Sequence, residues 1–425
     1  MAYGQKAALN SGILYSDRRN LYLDPNVTKE LYPSAAPFTT LIQNLSMVKS
    51  PDPDFKMFEH EASWVDMRWM ASAAPSTTTF EPGTESDTIS INTLTGTPYL
   101  GLKVDVYADN SGIGTYKGQA VVTTIVTSSS LKVTPLYELG SAAFADNDHF
   151  IVVGHASGEG TGAPEATSDE LTVAWNSCEI MKTPVEITGT LHEMSLRGYS
   201  SELARLRDDK EKQHKVLKEK SFLLGRRKSA AAAAGYTAAP AHITGADSKM
   251  VRTTQGIIPF IYDEAPAANK IAVTMSGYTY DSFIDDMQAL FLYGNDNAIK
   301  YAISGDTALG YWSKIESSGF LGNAGVSINM SAEETKFGFN VRNLRTPSGL
   351  LRLTRSPLMS QGMAGIYSGY MVIVDPENVQ HLTNRATKYE TMIQDVDMDG
   401  QKDQYFSDEG VGITLPKTHG YFIMS

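Results

Sequence analysis

The first fifty residues show no sustained hydrophobic period. Leu21, Leu23 and Val27 stand scattered among charged residues and prolines, and a compact apolar run comes only at Pro37–Leu45. A segment of this kind can bury little of its own surface. We therefore interpret residues 1–50 as an arm that lies on something else, with a short helix or strand near its end.

The pattern becomes that of β-structure between Phe55 and about Thr190. Positions from Phe55 to Glu61 alternate between two faces, as they do in a strand. Further β-rich runs, separated by turn-prone segments, follow up to Phe150–Val153. The alternation predicts an extended β-arm over residues 51–198, with a small β-barrel or sandwich inserted at about 95–165.

A long helix is predicted after Gly198. Ser200 is a suitable N-cap, and no proline occurs before Lys228, so about 25 residues can form a helix about 37 Å long. Its apolar positions form only a thin, interrupted stripe, so we expect one packed side and one exposed side. The stripe consists of Leu203, Leu206, Val216, Leu217 and Leu224.

The second half of the chain mixes helices with strands. Phe283–Phe291 has helical spacing, Trp312 lies in a second such segment, and Tyr370–Val374 is typical of a fully buried strand. The chain ends with the apolar strand Tyr421–Met424, which must be covered. Together with the β-rich first half, these elements predict an α+β protein.

Composition excludes several classes of protein. The chain has 425 residues, with 36 basic against 48 acidic side chains and a net charge of -12, which argues against a dedicated nucleic-acid binder. Its single cysteine, Cys178, excludes intrachain disulfides and a cysteine-rich zinc scaffold. No apolar window reaches the ~18 residues of a membrane span. We expect a protein folded in a reducing cytoplasm, without membrane contact.

Candidate chemistry is sparse, and we predict no enzyme and no cofactor. Asp395, Asp397 and Asp399 before Gly400 resemble the front half of a calcium loop, but the twelfth position, which should be Glu, is Phe406. A solvated acidic turn is the favoured interpretation over a metal site. Acids on one face of the β-arm are more typical of contacts with a neighbour than of glycoside chemistry. The proposed intersubunit residues of the arm are Phe55, Phe58, Glu59 and Glu61.

Charge is concentrated in the long helix. Ten basic and four acidic residues between Arg205 and Lys228 give this window +6 and leave -18 for the rest of the chain. The window is a solvated helix face, a partner for acidic surfaces of adjacent copies, or a surface facing a polyanion. Its basic residues are Arg205, Arg207, Lys210, Lys212, Lys215, Lys218, Lys220, Arg226, Arg227 and Lys228.

Five short segments carry a resemblance to a known family. They are the run from Pro37 to Ile42, the strand Phe55–Glu59, Thr183–Thr190, Arg252–Gly256 and Met371–Asp375. Their order around an arm, a β-arm and a charged helix resembles the major capsid proteins of tailed bacteriophages, which share the HK97-like capsid fold. No catalytic residue transfers, because that family has none.

The resemblance implies a domain plan. It implies an N-arm at 1–50, an E-loop at 51–198, a spine helix with peripheral domain at 199–265, an axial domain at 266–415, and a last strand at 416–425 returning to the peripheral domain. It also implies pentamers and hexamers that form an icosahedral head around double-stranded DNA. The implied partners are further copies of the chain, portal, scaffold and decoration proteins, in a virion assembled in the host bacterial cytoplasm.

Two alternatives stay open at this point. An encapsulin-type shell would keep the fold but hold an enzyme cargo in place of a genome, and neighbouring portal and terminase genes would distinguish the two. A carbohydrate-binding or enzymatic protein made of a β-domain and an α/β domain would place aromatic residues on one barrel face. Its candidates are Tyr99, Tyr107, Tyr116 and Tyr137, which share no spacing.

Overall fold

The computed structural model describes most of the chain after residue 35. The described residues fall into two compact units, one within 1–58 and 173–425, the other spanning 59–172. The described ranges are 36–45, 47–61, 65–73, 80–109, 113–138, 143–163, 166, 168, 170–194, 201–228, 237–245, 247–274, 276–293, 299–322, 332–334, 340–346, 348–362 and 365–425. The predicted arm therefore lies outside the described residues up to position 35.

Helices and strands are both present, so the α+β class is confirmed. The described helices are α1 (Pro37–Leu45), α2 (Gly189–Glu193), α3 (Glu202–Leu224), α4 (Ile257–Glu264), α5 (Tyr280–Phe291) and α6 (Asp306–Gly322). The described strands are β1 (Met47–Lys49), β2 (Asp54–Glu59), β3 (Arg68–Ala73), β4 (Ile89–Thr95), β5 (Leu102–Asp109), β6 (Ile113–Thr127), β7 (Ser130–Glu138), β8 (His149–His155), β9 (Thr172–Ser177), β10 (Glu179–Thr188), β11 (Ile243–Thr244), β12 (Met250–Val251), β13 (Lys270–Val273), β14 (Ile299–Ser304), β15 (Ala332–Glu334), β16 (Asn340–Thr346), β17 (Gly349–Arg355), β18 (Tyr370–Val374), β19 (Val379–Glu390), β20 (Gly400–Ile413) and β21 (Gly420–Met424).

The unit at 59–172 is a closed barrel. Its strands close in the order β3-β4-β7-β6-β5-β8, so every strand has two neighbours. Inward side chains such as Trp69, Val104, Val122 and Phe150 are buried and alternate with outward ones. The barrel begins before residue 95, where the sequence placed it, because β3 pairs with both β4 and β8 and completes the closure.

A four-stranded sheet underlies α3. Its order is β1-β19-β20-β10, with β10 antiparallel to β20 over Glu179–Thr188. Residues 379–413 therefore pair with the strand that precedes the long helix. This differs from the expected axial segment 266–415, because the pairing partner of β20 is more than 200 residues away in the sequence.

A seven-stranded sheet forms the other half of this unit, in the order β13-β21-β18-β14-β17-β16-β15. On one side lie α5 and α6, where the rings of Phe283 and Trp312 meet edge to face at 4.2 Å. The last strand, β21, pairs with β13 and β18, and Tyr421 on it packs against residues 222–261 of the predicted peripheral segment. Its alternating side chains fill two cores: Tyr421 joins the cluster that contains Phe222, and Phe422 joins the one that contains Trp312.

Two glycines let β2 approach the sheet. A Cβ added at Gly410 would lie 2.8 Å from the Ser177 carbonyl oxygen and 3.3 Å from the Phe55 ring. A Cβ added at Gly412 would lie 2.8 Å from the Met57 sulfur. The missing side chains therefore make room for the inward residues of β2, which cover this half of the outer sheet face, opposite α3.

We expect Gly410→Ala to destabilise the subunit by about 1–3 kcal/mol, because the added methyl meets backbone that cannot move freely. Gly310→Ala is the matched control, since Gly310 lies in α6 with open space around its Cα. In a helix interior this control should stabilise by about 0.5–1 kcal/mol. Urea unfolding of the two variants measures the difference, and equal stabilities would contradict the packing argument.

Candidate assembly surface around the long helix

The face that α3 turns to the sheet is largely polar. Its inward positions recur every three to four residues, which is the spacing of one helical face. The set includes Leu203, Arg207, His214, Lys218 and Phe222. The apolar stripe expected from the sequence is only part of this face, and its member Leu217 is exposed. The same spacing would have identified the face if polar residues had been counted with apolar ones.

An ion pair anchors the middle of this face. The Lys218 ammonium lies 3.0 Å from Glu409 Oε2, and the two side chains are only 6% and 2% exposed. His381 Nε2 lies 2.9 Å from the same oxygen, and the Thr387 hydroxyl and amide donate to Oε1. Burial alone would raise the pKa of Glu409, but these partners outweigh it and lower the pKa to about 2. Glu409 is thus an ionised, fully partnered buried carboxylate.

A second polar contact lies one helical turn before the ion pair. The His214 ring lies between two hydroxyls, with Nδ1 2.9 Å from Thr183 Oγ1 and Nε2 2.9 Å from Ser407 Oγ. Burial and the nearby Lys218 charge lower the pKa of His214 below its usual value. A neutral ring can donate to one hydroxyl and accept from the other, so both ring nitrogens are satisfied without a buried charge.

The carboxylate of Glu219 caps a distant helix. It accepts from the backbone amides of Phe38 and Thr39, at 2.9 and 2.6 Å, and from the Thr39 hydroxyl at 2.6 Å. These amides are among those that α1 leaves unpaired at its first turn, so a residue 180 positions away acts as the cap. Burial raises the pKa of Glu219, while the three donors work in the opposite direction. The start of α1 is thereby fixed to α3.

The first half of α3 holds the hairpin of β19 and β20. Arg207 Nη2 lies 2.8 Å from Asp403 Oδ2, and the Asp403 side chain is fully buried. The same carboxylate accepts from the Tyr389 hydroxyl and from the Met392 amide, the latter at 2.9 Å. Burial would raise the pKa of Asp403, but these donors lower it. Asp403 therefore holds both the end of β19 and the residues that follow it.

Another basic group lies on the opposite face of the same sheet. Three cationic side chains surround the Phe406 ring, with Arg385 4.3 Å, Lys388 5.5 Å and Lys182 5.9 Å from its centre. We call these four residues the cation–aromatic cluster. Sequence reasoning missed it, because Lys182 and Lys388 become neighbours of Phe406 only through the strand register.

The family model of the SU10 major capsid protein matches residues 20–423. The chain belongs to the SU10 major capsid protein family. This match covers nearly all of the chain and includes both compact units. The resemblance to tailed-phage major capsid proteins with an α+β, HK97-like fold is therefore confirmed, and the family is one of structural shell proteins of the virion.

Several solved shells resemble this family member. The capsid of cyanophage P-SCSP1u is 11% identical, with a TM-score of 0.38 over 64% of this chain and 80% of that chain. The capsid of the native GTA particle is 8% identical, with a TM-score of 0.41 over 98% and 99%. The SrpI encapsulin of Synechococcus elongatus PCC 7942 is 7% identical, with a TM-score of 0.39 over 60% and 77%. No curated protein matches the sequence.

Three of the ten helix-region cations bind buried partners or are themselves buried. Arg207 and Lys218 bind buried carboxylates, and Arg227 is buried and donates to the Gln255 side chain. Lys218 and Arg227 are therefore buried within the subunit, which corrects their assignment to contacts with a neighbouring subunit or with DNA. Arg207 is 34% exposed, but its charge is offset by the buried Asp403. The helix packs through charged residues as well as apolar ones.

The other seven cations are at least partly exposed. Their charge is offset at short range: four of them pair with acids of the same chain, and Lys210 bonds to Gln213. Lys220 and Lys228 form no ion pair with any residue in the described ranges. The four pairs are Arg205 with Glu202 and Asp209, Lys212 with Asp208, Lys215 with Glu211, and Arg226 with Asp263.

The proposed β-arm residues divide by face. Phe55 is buried against Cys178 and is a core residue, which corrects its assignment to an intersubunit contact. Glu59 is buried at the end of β2. Phe58 is 64% exposed on the opposite face, and Glu61 is exposed beyond the strand. Only Phe58 and Glu61 remain candidates for a neighbour.

The three aspartates proposed for a metal are exposed in the turn between β19 and β20. Within the described part of the chain, no group of three or more His, Cys, Asp or Glu side chains could hold a metal ion. The carboxylates of Asp395, Asp397 and Asp399 therefore do not converge. No described helix has the length and apolarity needed to cross a membrane.

Acid should weaken the contact between α3 and the sheet. The pKa of Glu409 falls from 4.5 to about 2 on folding, so its stabilising contribution is complete above pH 4.5 and is lost as the pH falls toward 2. The difference corresponds to about 3 kcal/mol. We expect Glu409→Gln to lose less stability than wild type between about pH 5 and about pH 3, measured by urea unfolding.

Glu409→Gln should also lower the stability at neutral pH by about 3–5 kcal/mol, because Lys218 then stays buried without its partner. Glu186→Gln is the control, since Glu186 lies exposed on the outer sheet face and pairs with Lys402. An unchanged pH dependence in Glu409→Gln would show that Glu409 does not link stability to pH.

Proposed function

We propose that this chain is the subunit of a tailed-phage head, assembling into pentamers and hexamers that close an icosahedral shell around double-stranded DNA. The observation that carries the proposal is the family match over residues 20–423. Portal, scaffold and decoration proteins are proposed as partners, with assembly in the host bacterial cytoplasm. The proposal assigns the protein no catalytic step.

Exposed apolar side chains support a role in assembly. Phe58 on β2, Leu292 after α5 and Met392 after β19 are each more than 60% exposed, and Val396 is fully exposed. Large obligate interfaces bury residues of this kind, whereas a subunit that stayed alone would leave them in water. They lie in three separate parts of the chain, namely β2, the end of α5 and the turn between β19 and β20, as contacts with several neighbours would require.

Contact with packaged DNA is proposed to be weak and non-specific. The chain carries a net charge of -12, and most cations of the long helix are neutralised by acids of the same subunit. Charge-driven binding to phosphates needs uncompensated cations, and its strength falls with salt. A shell with this balance can enclose DNA without holding it tightly.

Expression of the full chain tests the proposal directly. We expect gel filtration to separate capsomers and closed particles from the 46.3 kDa subunit, and negative-stain microscopy to show icosahedral shells. A stable monomer under all assembly conditions would overturn the proposal. Particles that contain an enzyme and no genome in infected or native cells would instead favour the encapsulin-type alternative.

Deletion of residues 1–36 is expected to leave a folded subunit that assembles poorly. The proposed arm would lie across neighbouring subunits, and the described core elements include α1 and those after it, so the loss of the arm should remove contacts between copies. Circular dichroism and urea unfolding check the fold, and sedimentation measures the particle yield. Wild-type yield from the truncated chain would show that the arm is dispensable.

A further inference from the structure

The cation–aromatic cluster is an exposed, preformed surface. Arg385 and Lys388 are 50% and 54% exposed, while the Phe406 ring beneath them is buried. Arg385 Nε lies 3.1 Å from Asp408 Oδ2, and Lys388 lies 2.5 Å from Glu390, so three cations face two carboxylates. The cluster with its two carboxylates therefore has a net charge of about +1 above the Phe406 ring, which favours an anionic partner.

The cluster occupies the open half of the outer sheet face. Phe55 and Met57 cover the other half, where Gly410 and Gly412 leave room for them. Around the cluster, Ile180 and Pro184 on β10 are exposed. The open half therefore combines a positive charge with apolar rims, and a polyanion alone would leave those rims uncovered.

A segment of this same chain has the complementary chemistry. The turn between β19 and β20, residues 392–399, is here called the hairpin tip. It exposes Met392 and Val396 together with the carboxylates of Asp395, Asp397 and Asp399, which form no ion pair with any described residue. Its apolar and acidic side chains match the apolar and cationic parts of the cluster.

The hairpin tip is also held in place. The Met392 amide donates to the buried Asp403 carboxylate, which Arg207 binds from α3, and the Ile393 amide donates to the Lys402 carbonyl. A tip fixed in this way loses little conformational freedom when it binds.

The tip cannot reach the cluster of its own copy. Phe406 lies six residues along β20 from Gly400, which is about 20 Å in a strand, and the hairpin runs away from the cluster. We propose that the cation–aromatic cluster binds the hairpin tip of a second copy of this chain. This inference rests on the proposed function, because it names one of the contacts through which the shell subunits join.

Such a contact is heterologous, since a different patch of each copy takes part. Repetition of a heterologous contact generates a closed ring when the rotation between copies closes. Each copy would therefore place its hairpin tip on one neighbour and receive the tip of the other neighbour on its cation–aromatic cluster, around a symmetry axis of the shell. Its strength should fall with salt, because the charged groups are near the surface.

Paired charge reversals test the contact. The tip variant is Asp395→Lys with Asp397→Lys, and the cluster variant is Lys182→Glu with Lys388→Glu. Arg385 is kept because it binds the buried Asp408. We expect each double variant to lower the particle yield by ~10-fold or more, because like charges then face each other. The fourfold variant should restore most of the yield.

Two controls separate the outcomes. Glu159→Lys with Asp247→Lys reverses two exposed acids elsewhere and should assemble as wild type. If circular dichroism shows that the cluster variant does not fold, Lys182→Gln with Lys388→Gln replaces it.

Three outcomes bear on the proposed docking. A wild-type particle yield from the tip variant, or a fourfold variant whose yield is no better than that of either double variant, would overturn it. If the cluster variant alone formed particles at normal yield but without packaged DNA, the docking would also be overturned, and the cluster would be a DNA-binding surface. Failure of the wild type to form particles would overturn the proposed function instead.

Discussion

The attachment of α3 to its sheet depends on pairing charges that are removed from water. A lysine and a glutamate buried without partners would each cost several kcal/mol, and the fold avoids this only because Lys218, His381 and Thr387 converge on Glu409. The arrangement of the surrounding elements follows from this need. Strands β19 and β20 must keep their register for the carboxylate to meet its donors, and α3 must lie at one rotation about its axis.

The same helix fixes three otherwise separate parts of the chain. Arg207 holds the hairpin through Asp403, Lys218 holds the middle of the sheet, and Glu219 holds the first turn of α1. Polar contacts are directional, so they define position more narrowly than an apolar stripe of the same length. The positions of the hairpin, the sheet and α1 relative to one another are therefore fixed in large part by polar contacts of α3.

Local patterns in the sequence were enough for several elements, but not for the strands β19 and β20 or for the partners of any element. The alternation around Phe55, the long proline-free helix and the buried strand Tyr370–Val374 all follow from short-range spacing and are present in the structure. The resemblance to phage capsid proteins also came from short segments that follow one another in a characteristic order along the chain. The burial of Lys218 was not predictable, because its partner is 191 residues away and a lysine in a basic run normally stays solvated. The cluster around Phe406 was missed for the same reason, since cross-strand register is not encoded in the spacing along either strand.

The closed barrel has a consequence for how such a chain can change over time. The chain runs into the barrel unit from β2 and out of it into β9, and these two strands pair with each other as a two-stranded ribbon. Paired strands lie about 5 Å apart, so the two ends of the inserted unit are close enough to be joined by a short turn. A closed barrel also leaves no open edge that the rest of the sheet must satisfy. The insertion thus has the geometry of a module, because a short turn in its place would leave the pairing of β2 with β9 intact.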